Sequence, residues 1–120
     1  MWKNSLFVGI GAAVGVLLRY GCMQWFEAAI VLWIVNGFGS LLMGILNAYF
    51  ETKPNAQLKL LLTTGFLGSF TTFSAFSADW LQHFQQSPIG SIAYAFGMTL
   101  GCIVCAAIGY GFMKKVGYAK

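Results

Sequence analysis

The run Gly65-Phe66-Leu67-Gly68-Ser69-Phe70-Thr71-Thr72-Phe73-Ser74-Ala75-Phe76-Ser77 sets hydroxyl side chains between aromatic ones, inside a stretch otherwise apolar enough to cross a bilayer. Hydroxyls can return their hydrogen bonds to helix carbonyls, so such a patch costs less than its composition implies. Ser69, Thr71, Thr72, Ser74 and Ser77 are nevertheless dense for a mid-membrane position. They predict a helix broken there, with freed backbone groups buried in protein or facing an ion. Carbonyls at such a break suit cations, and N–H groups suit anions. Phe73 and Phe76 are three apart and share a helical face. Phenyl edges are electropositive, so two uses stay open: plain aromatic packing, or a path on which an anion follows ring edges while hydroxyls donate to it.

Two further residues bring polarity into apolar stretches. Asn36 interrupts Ile34, Val35, Gly37 and Phe38, and an amide there is costly without a partner or a water-filled cavity. Its NH₂ can donate to an anion and its carbonyl can accept from a neighbouring helix. Arg19 is the permanent charge closest to a span; its default is to reach the interface, and at a vestibule mouth it would concentrate anions.

Other reactive residue types carry less. Cys102 and Cys105 make a C-x-x-C and Cys22 stands apart, but a metal site needs more ligands than one pair, and His83 is alone near a helix end. Small polarizable packing residues is the better reading of the thiols. No nucleophile, base and orienter set is visible, so an enzyme is not expected.

The elements that must position these residues follow from composition. Of 120 residues, 58% are apolar and 8% charged, against roughly a quarter charged in soluble domains. Ten charged side chains cannot cover a water-facing surface, and a bilayer removes the need. Four stretches reach the about 20 residues a span requires, at about 6–23, 28–50, 58–81 and 89–113. Glu51-Thr52-Lys53-Pro54-Asn55 and Gln85-Gln86-Ser87-Pro88 form polar turns, with Pro88 suited to the first turn of the last helix. The expected fold is one all-α, four-helix transmembrane domain over residues 1–120.

Arg19 three residues before Cys22 argues against a lipoprotein cleavage site, so the first segment is kept as a span. Gly11 and Gly15, Ser40 and Gly44, and Gly97 and Gly101 are small-xxx-small pairs, which bring helices close in membranes. Several such faces on a short chain also predict a partner. The net charge of +4 forms no stripe with interleaved aromatics, so nucleic acid is not expected. Lys3, Lys53, Lys59, Lys114, Lys115 and Lys120 fall on one side of the four-span arrangement, against Arg19 on the other with Glu27 and Asp79 nearby. This bias predicts both termini in the cytoplasm.

The run Gly68-Ser69-Phe70-Thr71-Thr72-Phe73-Ser74-Ala75-Phe76-Ser77 resembles the G-G-x-[ST]-T-F-S-T-F-S signature of the Fluc/CrcB fluoride channels. Val35-Asn36 is similar to the second-helix V-N of that family, and Gly15-Val16-Leu17-Leu18-Arg19-Tyr20 to its first-helix G-x-x-x-R-[WY]. The resemblance implies a multi-pass protein of the cell membrane, built as a dual-topology dimer of antiparallel subunits, that conducts fluoride passively out of the cytoplasm and relieves its toxicity. It implies a central structural Na⁺ held by the backbone carbonyls of Gly68 and Thr71. It further implies a fluoride path formed by Asn36, Phe73 and Phe76 with Thr72, Ser74 and Ser77, and a vestibule arginine at Arg19.

Several positions depart from the pattern. Ala75 stands where threonine is usual, Leu32 where many members have threonine, and Cys102 and Ala106 where the fourth helix carries Ser and Thr. These changes remove hydroxyl donors. With the lysine bias, they make pairing with an oppositely oriented paralogue an alternative to a homodimer. A small multidrug-type antiporter is a further reading, but it needs a membrane-embedded carboxylate, and the first span has none, Glu27 and Glu51 lying at span ends. The last is an accessory subunit of a heterodimeric channel.

Overall fold

The computed structural model describes residues 2–118; Lys120, counted above in the charge bias, lies outside the described residues. Every element among these residues is helical: α1 Trp2–Trp25, α2 Ala28–Thr52, α3 Ala56–Lys59, a π-helical segment Leu60–Leu67, α4 Gly68–Phe70, α5 Phe73–Gln86 and α6 Pro88–Tyr118. Four stretches are long and apolar enough to cross a membrane: Trp2–Trp25, Ile30–Thr52, Ala56–Gln86 and Pro88–Gly117. They run past the apolar segments on which the sequence expectation rested, the third to Gln86 rather than to about 81. Helical hydrogen bonding continues through residues such as Gln82 and His83 after the apolar pattern has ended.

The surface is that of a lipid-facing protein. The accessible area is 7878 Å², where a soluble monomer of this mass would expose about 6,400 Å². The exposed side includes Leu17, Ile89, Phe96, Ile103 and Phe112. Trp2 and Trp25 are exposed at the two ends of α1, about 34 Å apart along the helix axis. That separation places both indoles near the edges of a hydrocarbon layer about 30 Å thick, where tryptophan is favoured.

Two helix pairs meet backbone to backbone, and glycine permits both. A Cβ on Gly11 would collide with the Leu61 carbonyl oxygen, and one on Gly15 with that of Phe66. From the opposite side, a Cβ on Gly65 would meet the Val8 carbonyl oxygen at 2.5 Å. α1 thus closes on the π-helical segment. α2 closes on α6 in the same way: a Cβ on Gly44 would collide with the Ala106 carbonyl oxygen, and one on Gly109 with that of Leu41. Gly97 and Gly101, the third small-residue pair, instead make ordinary contact with the ring of Trp33.

Between the two pairs lies a core of Val31, Val35, Leu67 and Phe70, flanked by Phe66, Leu42, Met43, Leu46 and Cys22. The Phe66 and Phe70 rings stack at 5.7 Å. At the far end of the α2–α6 pair, Lys114 Nζ lies 2.7 Å from Glu51 Oε2. The Tyr110 hydroxyl donates to the same carboxylate at 2.9 Å.

Replacing Gly44 or Gly11 by Ala is expected to destabilise the protein by about 1–3 kcal/mol, the usual cost of forcing atoms into a packed seam. Gly9→Ala and Gly21→Ala, where the added carbon meets nothing within 4 Å, should be neutral or slightly stabilising. Thermal unfolding in detergent micelles, followed by tryptophan fluorescence, would separate the two classes.

Candidate functional site

The third membrane-spanning stretch changes course at Thr71 and Thr72. Thr71 has φ −76° and ψ 154° and Thr72 has φ −145° and ψ 117°, so both are extended between α4 and α5. Each leaves backbone groups without their usual helical partners, and in hydrocarbon those groups must be satisfied by protein. Asn36 on α2 serves Thr72. Its Oδ1 accepts from the Thr72 N–H at 3.0 Å, and its Nδ2 donates to the Thr72 carbonyl at 3.4 Å. One side-chain amide thereby pairs both backbone groups of one extended residue, as a neighbouring strand would. Asn36 and Thr72 are both buried.

Other contacts hold the same turn. Thr72 is the N-cap of α5, its hydroxyl accepting from the Ala75 N–H at 3.2 Å and lying 3.3 Å from the Ser74 hydroxyl. Thr71 turns back: its N–H and hydroxyl both donate to the Leu67 carbonyl, at 3.0 and 2.9 Å. Gly39 makes room for this turn, since a Cβ there would collide with Thr71 Cγ2.

The break leaves the carbonyls from Gly68 to Thr71 without the amide four residues ahead, because α5 begins only at Phe73, and two of the amides are visibly taken elsewhere. The Thr72 N–H, which would close a helical bond to Gly68, goes to Asn36, and the Ala75 N–H, which would bond Thr71, goes to the Thr72 hydroxyl. Oxygen ligands of this kind suit a hard cation. On the other side of the turn, α5 begins at Phe73 and runs 14 residues. Its first turn therefore presents free N–H groups and about half a positive charge, which favour an anion.

An open groove of about 440 Å³ runs along the turn, lined by Asn36, Ser40 and Met43 of α2, Thr71 to Phe73 and Phe76, and Met98, Thr99, Cys102, Ile103 and Ala106 of α6. Phe73 is 80% exposed, and its ring lies 6.1 Å from that of Phe76. Ser77 is near the rings but turns its hydroxyl back to the Phe73 carbonyl at 2.9 Å. A second, more enclosed cavity of about 220 Å³ lies on the other side of Thr72, lined by Arg19, Val31, Leu32, Val35, Ala75, Asp79 and Gln82 among others.

Asn36, Thr72, Phe73 and Phe76 are thus together in the groove, with Thr71 at its floor. Arg19 shares a different cavity with Asp79, and Thr72 borders both. Tyr94 of α6 was missed by sequence reasoning. Its ring sits 5.4 Å from Phe76 and 5.8 Å from Trp33, and its hydroxyl donates to Asp79 Oδ2 at 3.1 Å. A single tyrosine in an apolar helix carries no motif that could have marked it.

These features define a multi-pass membrane protein with a mostly apolar groove, into which Asn36, Ser40, Thr71, Thr72 and Thr99 bring polar groups, built on an irregular helix. Comparison with known proteins then gives the family. Residues 6–110 match the family model described as CrcB-like protein, Camphor Resistance (CrcB). The chain is 37% identical over 115 residues to the Fluoride-specific ion channel FluC of Pasteurella multocida, covering 89% of this chain and 90% of the relative. It is 36% identical over 116 residues to the Fluoride-specific ion channel FluC of Thermus thermophilus, covering 90% and 91%. It is 37% identical over 115 residues to the Fluoride-specific ion channel FluC 2 of Bacillus subtilis, covering 91% and 86%. The chain belongs to the CrcB family, as its third-span motif indicates.

Asn36→Leu is expected to leave both Thr72 backbone groups unpaired, at about 1–3 kcal/mol each. Amide exchange at Thr72, measured in micelles, should accelerate by at least tenfold, with smaller changes at helical amides such as that of Leu46.

Proposed function

We propose that this chain is a fluoride-selective channel subunit that lets cytoplasmic fluoride leave the cell passively through the groove at Asn36, Thr72, Phe73 and Phe76. The names of the relatives support the ion. The observation that carries the reading is the conjunction, in one groove, of the α5 N-terminus, the Asn36 amide and the Phe73–Phe76 ring pair. Fluoride holds its water tightly, and an isolated anion in an apolar medium costs tens of kcal/mol. A path must therefore replace that water with several donors at once. Ring edges, an amide, the Ser74 hydroxyl and helix N–H groups are weak enough singly to release the ion again, and the Ser77 hydroxyl could join them only by giving up the Phe73 carbonyl. Arg19, beside Thr72 in the adjoining cavity, raises the local anion concentration as a vestibule charge.

The carbonyls of Gly68 and Thr71 fit a structural Na⁺. Na⁺ is a hard cation, and both oxygens have lost the amide four residues on. Two carbonyls are too few for such an ion, and an antiparallel second subunit would supply two more. In that arrangement the subunits form a dual-topology dimer in the cell membrane. A Na⁺ held by these carbonyls would neutralise their ends and fix the turn, as a structural rather than a transported ion.

A heterodimer with an oppositely oriented paralogue is supported by two observations. Lys3, Lys53, Lys59, Lys114, Lys115 and Lys120 oppose Arg19 alone, a bias that favours insertion one way with both termini cytoplasmic. Relatives in Bacillus subtilis and Listeria innocua carry the name FluC 2, consistent with more than one such chain in a cell.

Liposomes loaded with fluoride and containing the purified chain should release it when a K⁺ shunt is opened, read by a fluoride electrode. Phe76→Ile should slow release at least tenfold, as expected for losing about 1.4 kcal/mol at the barrier. Release no faster than from empty liposomes would reject the channel reading for this chain alone. Reporter fusions at both termini, in cells lacking any relative, should place nearly all molecules with termini inside if the heterodimer reading holds. Equal populations in both orientations would sink it in favour of the homodimer.

A further inference from the structure

The helix pair α5–α6 carries a cluster beyond the groove itself. His83 stacks on Tyr94 with ring centres 5.5 Å apart and planes at 20°. Tyr94 lies 5.4 Å from Phe76, and Phe76 lies 6.1 Å from Phe73. The rings of His83, Tyr94, Phe76 and Phe73 therefore form a continuous series from the last turn of α5 back to its first. Asp79 fastens the far end: its carboxylate accepts from the Tyr94 hydroxyl at 3.1 Å and stands 3.6 Å from His83 Nδ1.

A matching trio closes the other end of α6. Tyr110 donates to Glu51, Lys114 pairs with Glu51, and the Lys114 ammonium lies 5.3 Å from the centre of the Tyr110 ring. Tyr94 and Tyr110 are about 24 Å apart along the helix, and Met98, Cys102 and Ala106 of the groove lie between them. Each trio holds a tyrosine, a carboxylate and a nitrogen base. They differ in that the lysine brings a standing charge and the imidazole only a conditional one.

The hydrogen bonds of His83 fix where that charge arises. Nδ1 lies 2.9 Å from the Asp79 carbonyl oxygen. A carbonyl only accepts, so Nδ1 carries the hydrogen of the neutral ring and Nε2 is the site of a second proton. The side chain is half exposed in the last turn of α5, beside the polar turn Gln85-Gln86-Ser87-Pro88, which gives a proton a route from the membrane surface. The groups around it are Asp79 on its own helix, Tyr94 on α6, and Arg19 of α1, which shares the cavity of Asp79 and Gln82. The part of α2 that lines this cavity, Val31, Leu32 and Val35, brings nothing titratable. Glu27, at the start of α2, lies on the same side of the four-span arrangement. With a neutral imidazole, Asp79 and Glu27 therefore outnumber Arg19 at this end; an imidazolium cancels the excess negative charge and with it a repulsion on entering anions.

We propose that His83 is a positioning residue at one mouth of the anion path, held on Tyr94 by Asp79, and that its protonation raises anion entry at that mouth. This rests on the groove being an anion path. The sequence holds a single histidine, so a histidine-dependent response has one source.

Planar-bilayer recording with fluoride as the permeant anion tests the proposal, because neutral HF carries no current. Between about pH 8 and about pH 5.5, the interval in which imidazoles change charge, wild-type current at fixed voltage should rise about twofold or more. His83→Gln should conduct at the alkaline level at both pH values, and His83→Lys at the acid level at both. A wild-type current indifferent to pH would overturn the proposal, as would a pH response that survives in His83→Gln. So would a glutamine variant that lowers current equally at both pH values, which marks a merely structural role. Absence of fluoride current from the wild type at either pH would instead reject the channel reading itself, and this inference with it.

Discussion

A backbone that leaves the helix inside a bilayer must pair its polar groups within the protein or turn them to a cavity that holds water or an ion. The arrangement around Thr72 follows from that constraint. Asn36 is buried in α2 because Thr72 needs both an acceptor and a donor, and the side-chain amide supplies both in one residue. Thr72 in turn caps α5, which starts that helix at the groove and points its N–H groups there. The same exchanges release the Gly68 and Thr71 carbonyls from their usual amides. One turn thus sorts charge, with carbonyl oxygens before it and helix N–H groups after it. A single irregularity sets out groups that would suit a cation and groups that would suit an anion, with no ionised side chain among them.

Such a turn would close on itself or slip if the helices around it could move. Two glycine seams prevent this. Gly11, Gly15 and Gly65 bring α1 and the π-helical segment to backbone contact, and Gly44 and Gly109 do the same for α2 and α6. In lipid there is no hydrophobic drive to press helices together, so close packing must supply the attraction. The seams also fix distances: α2 carries Asn36 and Gly39 to the turn at a set height, and Gly39 leaves space for the Thr71 methyl. The Val31, Val35, Leu67 and Phe70 core fills the volume between the two pairs.

Much of this architecture was legible in the sequence, for physical reasons that also mark where reading stops. The four apolar stretches show because charged residues are too costly in hydrocarbon to be scattered through them. Asn36, Thr72, Phe73 and Phe76 show because polar or hydroxyl-aromatic patterning is rare at that depth. Gly11 and Gly15 show through their spacing, but Gly109 does not, since its counterpart is a carbonyl of another helix. The π-helical segment Leu60–Leu67 leaves no trace, because a shift from the α to the π pattern changes hydrogen bonding and not composition. Tyr94 and His83 are unreadable for a related reason: their significance lies in ring contacts between α5 and α6 that no local pattern encodes.

The walls of the groove are unequal, and this bears on what completes it. From α2 and the turn come Asn36, Ser40, Thr71 and Thr72; from α6 come Met98, Cys102, Ile103 and Ala106, with Thr99 the only hydroxyl. A dehydrated fluoride bound in this groove would meet donors on one side and sulfur and methyl groups on the other. Thiols donate weakly and thioethers not at all, so α6 cannot return what the ion loses in water. Under the channel proposal, either the ion would stay close to the α2 wall and the Phe73–Phe76 rings, or a second chain would bring donors to the open side, where Phe73 is exposed. The second solution costs this chain nothing if its partner differs from it in sequence, because a partner rich in hydroxyls can tolerate a neighbour that lacks them. Under the heterodimer proposal, the hydroxyl-poor α6 and the one-sided lysines would be two expressions of one condition: a subunit that always met the same, oppositely inserted companion would be free to lose both its balanced charge and its own half of the donor track.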